Sequence, residues 1–200
     1  MKIAIIVEGK TEEKAFMPIL RTFLMSRLQQ MPDLDPKPQG GRIPTGEKLK
    51  RVVDNLLKDG FDAVIALTDV YTGTKDFQDA ADAKAKMKQW VGNNPQFYPH
   101  VAQHDFEAWL LPFWDRIQEL AKYKKSPPSG KPEQVNHHKP PSKHIQEIFE
   151  LGKCRDSYSK TRDAPKILKD QDLMKAVNEC PELKAFVNTI LLLCGGDMIP

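Results

Sequence analysis

Short, unbroken apolar runs that alternate with amphipathic segments constrain the fold of this chain most. Residues 3–7 are all apolar, and the run ends at Glu8-Gly9. A run this short, with no polar residue alternating through it, is typical of a strand buried on both faces of a sheet. From Thr11 to Leu28, apolar side chains recur at helical spacing. This pattern predicts a helix that follows a tight turn, with a kink at Pro18.

The same order repeats further along the chain. Helical patterns cover residues 47–58, 79–91 and 107–120, and buried-strand runs cover residues 63–67 and 97–102. Strands and helices in alternation predict an α/β fold, with a parallel sheet that carries helices on both faces. Residues 31–46 contain four prolines and three glycines and are predicted as a loop, with room for one short strand that the pattern does not locate.

The last third of the chain differs in character. Residues 122–144 contain five prolines, six lysines and one acidic residue, a local net charge of +5. Helical patterns follow at residues 143–151, 165–178 and 181–193. We therefore predict an α/β core over residues 1–115. Residues 116–200 are predicted as a basic proline-rich loop and a helical C-terminal extension packed on that core.

Composition excludes several classes of protein. With 40% hydrophobic and 28% charged residues, the chain has the composition of a folded protein. The net charge of only +3 argues against a protein that coats polyanions. Three cysteines without a CxxC pair indicate neither a disulfide framework nor a cysteine zinc site. The first apolar run is too short for a signal peptide or a membrane span, so we expect a cytoplasmic protein without a membrane partner.

Acidic residues follow three of the predicted strands. Glu8 follows the first strand, Asp69 the central one, and Glu107 a later one. The carboxyl ends of parallel strands meet at one edge of a sheet, where clustered carboxylates require a cation. Hard oxygen ligands favour Mg²⁺ or Mn²⁺ over zinc. The alternative is that each acid is an N-cap or first-turn residue that only stabilises the start of a helix. The same alternative applies to Glu12, four residues after Glu8.

Three segments carry a resemblance to a known family. The segments IIVEGKTEEKAF, TDVYTG and HDFEAWLL resemble a bacterial family of Toprim-like proteins with VEGxTE and HxFEA motifs. The resemblance covers about the first 115 residues. PPSKHIQEIF, Tyr-Ser-Lys at 158–160 and CPEL resemble the C-terminal part of that family more weakly. Toprim is the metal-binding α/β domain of topoisomerases, bacterial primases, recombination mediators and the overcoming-lysogenisation-defect nucleases.

The resemblance implies roles for individual residues. Glu8 matches a general acid/base or metal ligand, and Glu12 matches a second acid of the nuclease branch. Asp69 matches the first aspartate of the DxD motif, whereas Tyr71 replaces the second. Glu107 matches the final glutamate of the nucleases. Asp76 or Glu107 could complete the metal shell in place of the missing aspartate.

Other polar residues are candidates for supporting roles. Lys143, and after it Lys10, are the candidate lysines for stabilising a transition state at phosphorus. His104 could orient a carboxylate or contact phosphate, or could serve only a structural hydrogen bond. Tyr71 could be a site residue or could pack the loop. GRIPTGEK at residues 41–48 lacks the strand and the Ser or Thr of a P-loop and is set aside.

Together these features predict a Mg²⁺- or Mn²⁺-dependent nuclease that acts on DNA or RNA, with two metal ions at the acidic cluster. The resemblance further implies an ABC-type or AAA-type ATPase partner and a role in phage defence. The alternative is an inactive Toprim-like module that binds nucleic acid or a partner protein. The basic segment could bind nucleic acid or be a solvated loop; its candidate lysines are Lys122, Lys124, Lys125, Lys131 and Lys139.

Overall fold

The computed structural model describes residues 1–70, 77–136, 139–153 and 157–200. Its centre is a four-stranded sheet in which every neighbouring pair of strands is parallel, in the order β2-β1-β3-β4. The strands are β1 (Lys2–Val7), β2 (Asp33–Pro38), β3 (Ala63–Val70) and β4 (Phe97–Gln103). The parallel α/β fold expected from the sequence is confirmed.

Helices connect and cover the strands. The α-helices within the described residues are α1 (Met17–Met25), α2 (Glu47–Lys58), α3 (Ala80–Val91), α4 (Trp114–Ala121), α5 (Pro141–Leu151), α6 (Lys160–Leu168), α7 (Leu173–Glu179) and α8 (Pro181–Leu193). The bounds of α2 and α8 agree with the sequence pattern. The segment predicted as one helix over 165–178 is two helices, because residues 169–172 leave the helical path between α6 and α7.

Alternate side chains of the strands enter two separate cores. Ile3 and Ile5 pack in the larger cluster, which includes α1 and the C-terminal helices, while Ala4 and Ile6 pack against α2 and α3. This alternation follows from the period of two along a strand. Helices therefore cover both faces of the sheet, and the C-terminal helices share their core with β1 and β3.

The strand β2 lies within residues 31–46, where the sequence predicted a loop with room for one short strand that the pattern did not locate. Within the described part of the chain it pairs only with β1, from Lys2 opposite Asp33 to Val7 opposite Pro38. Proline and charged residues are tolerated there because an edge strand leaves one side of its backbone unpaired. The proline-rich composition of β2 is typical of a loop, so the sequence pattern did not locate this edge strand.

Two predicted helices begin in less regular form. A π-helical turn at Glu12–Phe16 precedes α1, so Pro18 lies at the start of α1 rather than at a kink inside it. A 3₁₀-helix at Phe106–Phe113, with Pro112 inside it, precedes α4. Both irregular turns follow the carboxyl ends of strands, and π-turns of this kind are frequent at functional sites.

No helix of the described segments has both the length and the apolar character needed to cross a membrane.

Candidate active site

The ends of β1 and β3 bring Glu8 and Asp69 together. Oε1 of Glu8 accepts a hydrogen bond from the Thr68 hydroxyl at 2.5 Å and another from the Asp69 backbone amide at 3.0 Å. The side chain of Glu8 is thereby fixed on the neighbouring strand. This contact spans the two central strands at the edge where functional groups of parallel sheets gather.

The π-helical turn places Glu12 beside them. Oε2 of Glu12 accepts a hydrogen bond from the backbone amide of Gly9 at 3.1 Å, and its side chain is buried. The widened turn holds this acid inside the protein, over the tight turn that follows β1. Glu12 therefore does not lie on the solvated face that a first-turn acid usually occupies.

The third strand end delivers His104, Asp105 and Glu107, all of which are buried. His104 has φ 68°, in the left-handed region that non-glycine residues rarely adopt, and such strain clusters at functional sites. Its backbone amide bonds to the carbonyl of Val70 at 3.0 Å, which ties the end of β4 to that of β3. Burial lowers the pKa of His104.

The ammonium group of Lys160 lies among the carboxylates. Its Nζ is 3.5 Å from Oε1 of Glu12, 3.6 Å from Oδ2 of Asp69 and 3.3 Å from Oε2 of Glu107. Lys160 is the first residue of α6, so the helical C-terminal layer contributes this charge. One cation thus joins acids from the turn after β1, from β3 and from the segment after β4.

The start of α6 is held in place by Asp163. Oδ2 of Asp163 accepts hydrogen bonds from the Ser159 backbone amide at 2.9 Å and from the Arg162 guanidinium at 2.7 Å. This acid within the first turn caps the helix from inside. It fixes the backbone of Ser159, the residue before Lys160.

Tyr158 contacts the other oxygen of Glu107. Its hydroxyl donates to Oε1 of Glu107 at 3.1 Å, and its ring packs against Phe149. Burial and the negative charge of Glu107 raise the pKa of Tyr158, so its hydroxyl remains a donor at neutral pH. The two oxygens of Glu107 therefore face two residues of one segment, Tyr158 and Lys160.

Asp105 joins the site to α5. Its Oδ2 accepts a hydrogen bond from the Ser142 backbone amide at 3.1 Å, near the start of that helix. Among the described residues, neither Oδ1 of Asp105 nor Oε2 of Glu107 has a hydrogen-bond partner, although both atoms are buried. Burial, and then the charge of Glu107, raise the pKa of Asp105 to about 7.

Burial also raises the pKa values of the two acids at the ends of the central strands. For Glu8, burial outweighs the hydrogen bonds from Thr68 and Asp69, which favour the charged form. For Asp69, burial is again the main cause, opposed by the positive charge of Lys160. Buried carboxylates of this kind are ordinarily compensated by cations, and among the described residues Lys160 supplies positive charge.

The site brings together four predicted metal ligands, Glu8, Glu12, Asp69 and Glu107. It also contains Asp105, Tyr158 and Lys160, which the sequence reasoning did not select. Asp105 stands in the strand-end segment that drew attention to Glu107. Tyr158 and Lys160 belong to the Tyr-Ser-Lys segment at residues 158–160. The weak resemblance of that segment to the Toprim-like family was the signal that could have identified them.

Other predicted residues lie elsewhere or outside the described residues. Nζ of Lys143 donates to Oε1 of Gln146 on the exposed side of α5, and Lys10 is exposed in the turn after β1. Tyr71 and Asp76 lie outside the described residues. The catalytic roles of Lys143 and Lys10 remain predictions.

The lysines of the basic segment differ in their surroundings. Lys122, Lys124 and Lys131 are exposed. Lys125 and Lys139 both form ion pairs with Glu147 of α5.

The donor chemistry of the site fits a hard divalent cation. The acids offer only oxygen ligands, as Mg²⁺ and Mn²⁺ prefer. Oδ1 of Asp105 and Oε2 of Glu107 are buried there without a hydrogen-bond partner among the described residues. In the present arrangement, no three acidic, histidine or cysteine side chains of the described residues converge closely enough to hold a metal ion. In this arrangement the Lys160 ammonium lies between the acids that would hold an ion.

The described architecture is that of a parallel α/β protein with acids at its strand ends and a helical C-terminal layer. It shares this fold with the C-terminal region of the Burkholderia pseudomallei OLD protein, at 12% sequence identity and a TM-score of 0.59, over 96% of this chain and 98% of that one. The chain belongs to the DUF4276 family, described as a domain of unknown function, whose sequence profile matches residues 7–191.

A second similar structure is the C-terminal region of the Xanthomonas campestris pv. campestris OLD protein. It is 14% identical, with a TM-score of 0.45, over 96% of this chain and 97% of that one. No curated protein matches the sequence.

Proposed function

We propose that this protein is a Mg²⁺- or Mn²⁺-dependent nuclease that hydrolyses phosphodiester bonds of DNA or RNA. The observation that carries the proposal is the acidic cluster at the strand ends, which joins Glu8 to Asp69 and brings Glu12 and Glu107 beside them. The Toprim resemblance of the sequence supports it, as does the fold shared with an OLD protein.

Glu8, Glu12, Asp69 and Glu107 would hold the divalent ions, and Asp105 is an additional donor. When bound, the ions would supply stabilisation of charge on the phosphate oxygens and activation of water. Asp76 and Tyr71 are proposed to support the shell. His104, at the strained strand end, would orient a carboxylate or contact phosphate.

The side chains themselves have distinct parts in this mechanism. Glu8 is held by Thr68 through one oxygen, and its carboxylate would accept a proton from the attacking water. Lys160, withdrawn from the carboxylates, would place its positive charge against the developing charge on the phosphate oxygens. We therefore assign Lys160 the role that the sequence suggested for Lys143 and, after it, Lys10.

The surroundings of the reaction are part of the same proposal. The basic segment would bind the nucleic-acid backbone through Lys122, Lys124, Lys125, Lys131 and Lys139. The resemblance to overcoming-lysogenisation-defect nucleases supports an ABC-type or AAA-type ATPase partner, a cytoplasmic location and a role in phage defence.

One observation favours a second function, a non-catalytic module that binds nucleic acid or a partner protein. The Lys160 ammonium already lies among three carboxylates, and Tyr71 replaces the second aspartate of the motif. In such a module the lysine would stabilise the fold in place of a metal. Titration with Mn²⁺ separates the two functions, because the module would bind the ion weakly if at all.

Cleavage assays test the nuclease directly. The purified protein is incubated with labelled single- and double-stranded DNA and RNA in the presence of Mg²⁺, Mn²⁺ or EDTA. Each reaction is run with and without an ATPase encoded by an adjacent gene. We expect metal-dependent cleavage that the double substitution Glu8→Ala, Asp69→Ala abolishes. Glu12→Gln should reduce the rate roughly 100-fold or more, whereas its neighbour Glu13→Gln provides the matched control. Unchanged cleavage by the double variant would refute this mechanism.

A further inference from the structure

Two lysines of the basic segment converge on a single carboxylate oxygen. Nζ of Lys125 lies 2.7 Å, and Nζ of Lys139 2.9 Å, from Oε2 of Glu147. The three side chains are between 37% and 40% exposed. Hydrogen bonds from Lys125 and Lys139 lower the pKa of Glu147 to about 2, so it stays charged at neutral pH. We call this group the Glu147 lysine pair.

The backbone of Lys125 is anchored at both of its polar groups. Its carbonyl accepts a hydrogen bond from the indole Nε1 of Trp114 at 2.6 Å, and its amide donates to Oε1 of Gln118 at 3.0 Å. Trp114 is itself buried. A lysine held in this way loses less conformational freedom on binding than a lysine on a free loop.

The pair lies close to the acidic site. Lys139 stands three residues before Ser142, whose amide is bonded to the buried Asp105. Three residues of extended chain span at most about 10 Å. The backbone of Lys139 therefore lies near the acidic site, on the side where Asp105 contacts the start of α5.

We propose that Lys125 and Lys139 together form a phosphate contact for the backbone of the nucleic-acid substrate, and that Glu147 occupies this contact in the free protein. The proposal rests on the proposed nuclease function, whose substrate it would hold. Two ammonium groups on one carboxylate oxygen offer the charge and spacing that a phosphodiester requires. Binding would exchange the exposed carboxylate for a phosphate.

A second exposed ion pair provides the matched control. Lys50 and Asp54 on α2 lie 2.8 Å apart and have similar exposure, 41% and 36%. Asp54→Asn changes the net charge by the same amount as Glu147→Gln, and Lys50→Gln by the same amount as either single substitution of Lys125 or Lys139. Any effect of net charge alone should therefore be the same at both places.

The experiment measures binding without catalysis. The anisotropy of a fluorescein-labelled 20-nucleotide DNA, single-stranded and as a duplex, is followed in EDTA at several salt concentrations. We expect Glu147→Gln to tighten binding roughly threefold to tenfold, because the two lysines lose their internal competitor. Asp54→Asn should change affinity by much less.

The lysines are tested in the same assay. Lys125→Gln combined with Lys139→Gln should weaken binding and reduce the slope of log affinity against log salt by about one to two, since each phosphate contact contributes roughly one. Lys50→Gln should leave the slope unchanged. A polyglutamate competitor distinguishes a preference for acidic polypeptides from a preference for phosphates.

Three results would overturn the proposal: equal effects of Glu147→Gln and Asp54→Asn, an unchanged salt slope in the double lysine variant, or stronger binding of polyglutamate than of DNA. Thermal melting identifies variants that fail to fold. Glu147→Gln is expected to bind more tightly, and loss of folding could not produce that result. Binding is measured in EDTA and cleavage with divalent ions. A failure of the proposed phosphate contact can therefore be distinguished from a failure of the proposed nuclease activity.

Discussion

The ammonium nitrogen of Lys160 lies 3.3 Å from Oε2 of Glu107, a buried oxygen that accepts no hydrogen bond among the described residues. Glu107 follows the last strand of the sheet, whereas Lys160 begins a helix of the C-terminal layer. The acidic site is therefore shared between the α/β core and that layer.

Replacing Lys160 should strengthen metal binding while it weakens catalysis. In Lys160→Met, the carboxylates of Glu12, Asp69 and Glu107 lose their internal cation, so Mn²⁺ affinity should rise at least about tenfold by titration calorimetry. Cleavage should fall roughly 100-fold or more, because the charge on the phosphate is no longer stabilised. Lys143→Met is the control and should leave Mn²⁺ affinity unchanged. Weaker Mn²⁺ binding by Lys160→Met would contradict the arrangement.

Removing one hydroxyl should disturb the orientation of Glu107. Tyr158→Phe keeps the ring against Phe149 and removes the hydrogen bond to Oε1 of Glu107. The bond is made to a charged acceptor, so its loss should cost about 1.5–3 kcal/mol of stability, seen in urea unfolding. The rate of cleavage should fall about tenfold. A variant with wild-type Mn²⁺ affinity, rate and stability would show that Tyr158 does not position Glu107.

Asp105 should make the protein less stable as the pH rises. Burial and the charge of Glu107 raise its pKa from 3.8 to about 7, so the folded protein retains a proton that the unfolded chain releases between about pH 4 and 7. Stability from this group is present at low pH and lost as the pH rises through that window. Asp105→Asn can still accept the Ser142 amide but does not titrate.

The measurement is urea unfolding in EDTA at several pH values. The free energy of unfolding of Asp105→Asn, taken relative to the wild type, should increase from pH 4 to pH 7. A difference that stays constant across this range would show that Asp105 keeps its ordinary pKa.

A close backbone contact predicts a purely structural effect. A Cβ on Gly152 would collide with the carbonyl oxygen of Ala121, at the ends of α5 and α4. Gly152→Ala must therefore push the two helix ends apart, at a cost of about 1–3 kcal/mol in the free energy of unfolding. Glu150→Ala, on the exposed side of the same helix, should cost much less. Equal stability of these two variants in thermal melting would refute the contact.

Local patterns were sufficient for most of the fold. The apolar run at residues 3–7 and the apolar faces of α2 and α8 can be recognised within short segments of sequence. A strand buried on both faces needs apolar residues throughout, and a helix needs them along one stripe, whichever elements pack against them. The pattern was insufficient at β2, because an edge strand tolerates Pro36 and Pro38 that a central strand would reject.

The candidate site divides in the same way. The sequence by itself determined Glu8, Asp69 and Glu107 as acids at strand ends, since parallel strands always bring their carboxyl ends to one edge. Only the tertiary structure decided that Lys160 is the cation among them and that Tyr158 and Asp105 complete the surroundings. No local sequence pattern distinguishes a half-buried lysine at the start of a helix from a solvent-exposed one. The position of the Lys160 ammonium among the acids depends on how α6 packs against the core.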